Sequence, residues 1–298
     1  MRSVQPRRIQ QAATAAVLGA ALLGVAGAPA SAAAQDESRG SSHTPGYYLA
    51  LGDSLAAGYQ SLPGGGHEVG HGYAQDIART LAARAERVEH PFSFTDLGCP
   101  GETSGSMIGG GCPYPTPYAG PQLDAAVAYL KAHYHDHVVV TLDIGANNVD
   151  GCAAGGKLDP QCAVAGIATA GRDLGTILTR LKAAAGPHTR IVGMNLYDPF
   201  LAAWVTGDQG KVLAGLSIPL ADALNATLGT VDAAHHVPTA DVAKAFSTNS
   251  LLPLVDLAGQ RVPLNVARIL TWTNMARGDI HANDTGYQVI ADTFLKKI

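Results

Sequence analysis

The chain is poor in charge and in aromatic side chains. Asp, Glu, Lys and Arg make up 15% of its 298 residues, and Phe, Trp and Tyr make up 6%. Basic residues do not outnumber acidic ones, with 20 Lys and Arg against 24 Asp and Glu, so no electropositive surface for nucleic acid is implied. The few aromatics give little sign of a sugar-stacking platform. Cys-x-x-Cys spacing is missing and no histidine stands at a ligand-like spacing from the cysteines, so no metal site of zinc type is expected. Gly-x-Ser-x-Gly is also missing, which argues against the strained strand-to-helix elbow encoded by that pattern.

What is present begins with a leader. Arg2, Arg7 and Arg8 precede an apolar run from Ala12 to Ala28, followed by Pro29 and the small-residue spacing Ala30-Ser31-Ala32. That order reads as a secretory signal peptide over residues 1–34, with cleavage expected after Ala32 or Ala34. The run is rich in Ala and Gly and ends at a cleavage-type site, so a retained transmembrane helix is the weaker reading and no stable membrane insertion is expected. Arg7-Arg8 also permits twin-arginine export, but polar Gln10 and Gln11 follow the pair, which favours general secretion. Both routes lead out of the cytoplasm. Losing the leader removes three arginines and no acids, taking the net charge from −4 to −7. Residues 35–45 are polar and aromatic-free, a disordered lead-in by composition, and residues 46–298 are long enough for one domain, expected to act as a monomer.

All four cysteines, Cys99, Cys112, Cys152 and Cys162, fall in the exported part, where an oxidising compartment pairs them. Three connectivities are open. Cys99 with Cys112 and Cys152 with Cys162 is favoured, because each bridge then closes a short local loop.

Apolar spacing predicts helices over 73–88, 122–133 and 163–184 and around 211–228. A last helix is expected to open at Asp284, capped by it, and to bury Tyr287, Ile290, Ala291 and Phe294. Strands are predicted at 47–51, 92–97, 138–144, 190–196 and 237–242, and the β-branched run from Val138 to Ile144 reads as a buried central strand. Alternating strands and helices imply an α/β domain with a parallel sheet covered on both faces. Right-handed crossovers then put the strand C-terminal ends along one edge.

The loops at that edge carry the chemistry. Gly52-Asp53-Ser54-Leu55 follows the first strand, Gly98-Cys99-Pro100-Gly101-Glu102-Thr103 the second, and Gly145-Ala146-Asn147-Asn148 the third. Ile280-His281-Ala282-Asn283 stands just before the last helix. Each block alone reads as ordinary turn chemistry. In this order the four resemble the SGNH/GDSL hydrolase family, near the secreted esterases and lipases of actinobacteria, and the resemblance covers nearly the whole mature chain.

The resemblance implies a three-layer α/β/α sandwich around a mostly parallel five-stranded, flavodoxin-like sheet. It also implies Ser54 as nucleophile, His281 as base, and an oxyanion hole made of the Ser54 and Gly101 amides and the Asn147 side chain. Elementary chemistry agrees. A serine hydroxyl attacks an ester only if a neutral imidazole takes its proton, and the tetrahedral oxyanion needs aimed donors. Gly101 lies inside the first expected disulfide loop and Asn147 shortly before the second, so the bridges are expected to stiffen the segments carrying two of those donors.

The chain departs from the family pattern twice. Asn148 replaces the acid of the third block. The acid that orients the histidine usually stands three residues before it, where this chain has Gly278, and Asp279 is one residue nearer. In extended backbone that change turns the side chain to the opposite face. A Ser54–His281 dyad, with a carbonyl near Gly278 holding the ring, therefore ranks slightly above a triad through Asp279.

The expected function is a secreted, cofactor-free hydrolase of small-molecule or lipid carboxylic esters. Polysaccharide O-deacetylase, phospholipase and a binding protein with a dead site stand as alternatives. His67 and His71 read as exposed loop residues, and the Gly-rich loop that holds them is a candidate edge of the substrate entrance. Leu251-Leu252-Pro253-Leu254-Val255 reads as a packed loop or edge segment before an apolar lid, and Trp272 as core or acyl-pocket wall.

Overall fold

The computed structural model describes residues 44–62, 66–154 and 157–298. The expected signal peptide and nearly all of the lead-in lie outside the described residues. Five strands form one sheet: β1 (Tyr47–Gly52), β2 (Ser93–Asp96), β3 (Val138–Asp143), β4 (Thr189–Met194) and β5 (Thr239–Ala240). Their order is β2-β1-β3-β4-β5 and every neighbouring pair is parallel. In such a sheet the crossovers run one way to β2 and the other way to β4, leaving a crevice at the C-terminal ends of β1 and β3.

Residue choice explains the layers. β3 is Val-Val-Val-Thr-Leu-Asp and buried at every position, as a central strand covered on both faces must be. Helices α1 (Tyr73–Glu86), α2 (Ser104–Gly109), α3 (Gln122–Ala132), α4 (Pro160–Ala184), α5 (Asp208–Ala234), α6 (Val242–Ala245), α7 (Leu264–Trp272) and α8 (Asp284–Leu295) surround the sheet. α1 packs on α8, where Tyr73 stacks on Phe294 at 5.0 Å, and α4 packs on α3 and α5. Tyr287, Ile290, Ala291 and Phe294 of α8 are all buried. Burial of side chains the size of Ile or Phe stabilises the fold by roughly 1.5–3 kcal/mol each.

Some boundaries differ from expectation, each for a local reason. α8 is capped by Asn283, whose side chain accepts from the Gly286 amide, while Asp284 is the first helical residue and accepts from Gln60 Nε2 at 2.8 Å. β5 is only two residues long. Residues 254–263 form a hairpin, β6 (Leu254–Leu257) with β7 (Gln260–Pro263), turned by Ala258 and Gly259 at φ 50° and 83°. Two positive φ values in succession suit the twist of a two-residue hairpin turn.

Cys99 is bonded to Cys112 and Cys152 to Cys162, with Cα–Cα distances of 6.1 and 5.5 Å.

Candidate active site

β1 ends at Gly52, whose φ of 144° suits glycine, and a Cβ there would run into the Asp143 side chain and carbonyl on β3. The close approach brings two buried carboxyls together. Burial and the neighbouring Asp143 push Asp53 well above the ordinary carboxylate range, while Asp143 is raised by burial to about 6 and accepts from Tyr73 Oη at 2.5 Å. Asp53 Oδ1 accepts from the Leu55 amide at 2.9 Å, which fixes the turn that presents Ser54.

Ser54 is 8% exposed and its Oγ lies 2.9 Å from His281 Nε2. His281 sits in a short loop closed by the isolated Thr273–Ala282 bridge, by the Asn274 amide donating to His281 O, and by Tyr197 Oη donating to Ile280 O. The loop corrects one sequence expectation. Asp279 reaches the ring, with Oδ1 2.5 Å from Nδ1 and 3.2 Å from the His281 amide nitrogen, so a carboxylate rather than a carbonyl near Gly278 holds the imidazole. The extended-backbone argument fails because the segment turns locally: Asp279 Oδ1 accepts from the His281 amide two residues on, an Asx-type turn that folds the carboxylate back towards the ring. Burial alone would raise the Asp279 pKa. Hydrogen bonds from His281 and the Ser61 amide, with the imidazole's charge, outweigh it and hold the carboxyl well below the usual range.

Asn147 begins one hydrogen bond short of its capacity as a donor, giving Nδ2 to the Glu102 carbonyl at 2.9 Å. Gly101 has φ 81°, and neither its amide nor that of Ser54 finds an acceptor among the described residues. Asn148 joins the second and third blocks: its amide accepts from Ser104 N at 3.0 Å and donates to Ser104 Oγ at 2.9 Å, and that hydroxyl donates to Asp173 of α4 at 2.8 Å. The residue in the acid's place is thus a clasp between the loops that carry Gly101 and Asn147.

Ser54, Asn147 and His281 open on a cleft. Leu55, Val149, Leu158, Ile167, Leu196 and Leu224 give it apolar walls. Asp150 also lines it, raised by burial and then by the Asp53 charge to about 7, with His281 opposing the rise. On the other side of the imidazole Tyr59 packs 4.4 Å from the His281 ring and stacks on His67 at 4.8 Å, with Tyr114 edge-on to both. His67 and His71 are exposed. Trp272 meets Phe246 edge-on and lies under Arg268, and it does not line the cleft; nor does the segment 251–255.

Sequence reasoning missed Tyr59, Asp150 and Gln122. The Gln122 side chain, 1% exposed, accepts from Gly52 N at 2.8 Å and donates to Gly52 O at 2.9 Å. A glutamine at the start of an apolar helix was the available signal.

Comparison with known proteins supplies the family. The chain is similar in fold to an extracellular lipase from Streptomyces rimosus, with 17% identity and a TM-score of 0.51 over 85% of this chain and 99% of that one. A mutant acetyl-xylooligosaccharide esterase from Geobacillus stearothermophilus gives 15% identity and a TM-score of 0.50 over 84% and 93%. Phospholipase A1 from Streptomyces albidoflavus NA297 gives 18% and 0.48 over 85% and 100%. At these identities the likeness is one of fold. No curated protein matches by sequence. Residues 50–289 match the model of the GDSL-like Lipase/Acylhydrolase family, a span that takes in all four residue blocks, and the chain belongs to that family.

Proposed function

We propose that the protein is a secreted hydrolase that cleaves carboxylic esters through an acyl-enzyme on Ser54, its domain of residues 46–298 being exported by the leader at 1–34. The observation that carries the reading is the hydrogen-bonded line from Asp279 through His281 to Ser54 beside an apolar cleft. His281 Nε2 takes the Ser54 proton as Oγ bonds to the carbonyl carbon. The oxyanion that forms is met by the Ser54 and Gly101 amides and by Asn147 Nδ2. Nε2–H then gives its proton to the alcohol oxygen as the ester bond breaks, leaving acyl-Ser54. A water repeats the cycle, yielding its proton to His281, and the acid leaves as Oγ regains that proton. Asp279 fixes the ring so that Nε2 faces Ser54, and its charge stabilises the imidazolium.

Aliphatic walls favour an acyl chain longer than acetyl in the cleft. The test is hydrolysis of p-nitrophenyl esters from short to long acyl chains by the mature protein, with Ser54→Ala as control. Turnover abolished in the control supports the reading, and a preference for acetate alone would favour a deacetylase. No turnover at any chain length by folded protein, together with no fluorophosphonate labelling at Ser54, would leave a binding role.

A further inference from the structure

A helix at a protein surface normally turns polar residues to water. α5 does not. Its outward positions Val212, Leu216, Pro219, Ala223 and Ala226 recur at helical spacing and all are exposed, Val212 at 62% and Leu216 at 56%. Between Lys211 and Asp232 the only charged residue is Asp222, which lies half-buried off that row. By length and composition α5 is apolar enough to cross a membrane, yet only 22% of its most apolar 18-residue window is buried.

The exposed row adjoins the cleft. The next face of α5 supplies Ser217, Leu220, Ala221 and Leu224 to the cleft wall. The neighbouring α4 lines the cleft with Ala163 and Ile167 and leaves Val164 61% exposed. The 3₁₀ segment Pro199–Thr206 lines it with Phe200 and exposes Val205. Single exposed apolar residues are ordinary, but an exposed apolar row beside a cleft marks a contact surface.

We propose that this face docks the protein on aggregated lipid, so that ester molecules pass from a micelle, vesicle or droplet surface directly into the cleft. The proposal rests on the ester-hydrolase reading above. Continuity with the cleft selects lipid over a second copy of the chain, because a copy seated across Val212 and Leu216 would stand over the mouth that substrate must cross. α5 stays packed on α4 and on the 3₁₀ segment, so it lies in the interface plane and does not span it.

The test uses tributyrin below and above its solubility limit, with phosphatidylcholine vesicles for binding. Wild-type turnover is expected to rise sharply where tributyrin forms a second phase, and the Ser54→Ala protein is expected to sediment with the vesicles. Val212→Asp/Leu216→Asp changes two exposed side chains outside the cleft wall. It is expected to match wild type within about twofold on dissolved tributyrin and to lose at least about tenfold on the emulsion, with vesicle binding lost as well. Equal losses on dissolved and emulsified substrate, or no rise at the phase limit and no vesicle binding, would overturn the proposal. So would a dimer that the double variant dissociates in the absence of vesicle binding. Vesicle binding without any tributyrin turnover would keep the docking surface and sink the hydrolase reading instead.

Discussion

One oxygen of Asp279 holds both the ring and the backbone of His281, at 2.5 Å from Nδ1 and 3.2 Å from the amide nitrogen. The carboxylate therefore sets the position of the loop as well as the orientation of the imidazole. Asp279→Asn keeps the shape and removes the charge. It is expected to lower kcat by about 10²–10⁴-fold with little change in KM, as loss of an orienting acid does elsewhere. Steady-state kinetics check this. A drop below threefold would mean that the ring is held well enough without the charge.

Asn147 is already oriented in the free protein by its bond to the Glu102 carbonyl. Asn147→Ala is expected to cost about 10²–10³-fold in kcat, the usual loss for one oxyanion donor. KM should stay within a few-fold, because the donor acts on charge that appears only at the transition state. An effect confined to KM would assign Asn147 to substrate binding.

Stability should peak on the acid side of neutrality. Burial raises Asp96, Asp143, Asp198 and Asp232 to about 6 and Asp150 to about 7, so between about 4 and about 7 the folded protein holds protons that the unfolded chain has released. Stability falls as pH rises through that window. Asp279 acts oppositely: its depressed pKa contributes stability that is present above the ordinary carboxylate range and is lost as pH falls through the folded value. The raised groups act within this window and Asp279 below it, so Tm is expected to drop by roughly several degrees from pH 4.5 to 7. Calorimetry across that range checks the sign, and Asp143→Asn should flatten the slope. A Tm that climbs steadily over the window would refute this reading.

The bridges close loops with sequence separations of 13 and 10 residues, and loss of either should cost roughly 3 kcal/mol of stability. Cys99–Cys112 encloses Gly101, and Cys152–Cys162 ties the chain shortly after Asn147 to α4. Reduction should therefore lower kcat at temperatures where the reduced protein is still folded. Unchanged turnover with only a lower Tm would show that the bridges do not position the donors.

Much of this was legible because it rests on local regularities. The strand at 138–143 announces itself by β-branched residues, and the Ser54, Gly101, Asn147 and His281 loops are placed by the parallel topology. What was hidden depends on contacts between distant segments or on one side-chain-to-backbone turn. Asp279 turns inward through its own bond to the His281 amide, which spacing alone does not reveal. Tyr59 belongs to none of the four sequence blocks. It is held by its own amide donating to Ser54 O and by Tyr287 Oη of α8 donating to its carbonyl, 228 positions away. Asp150 acquires its character from burial beside Asp53, which no linear pattern encodes.

The bond pair between Gln122 and Gly52 has a practical consequence for anyone rebuilding this domain from pieces. The α3 amide completes the backbone pairing at the tip of β1, and the same side chain donates to Glu102 at 3.2 Å. Residues 52, 102 and 122 therefore form one heritable unit. In a chimera of two relatives, a crossover anywhere between positions 52 and 122 parts the serine loop from its clasp unless both parents carry the same glutamine. Segment-exchange libraries that respect the strand boundaries alone would misjudge this joint, and those that keep 52–122 in one block should retain folded members.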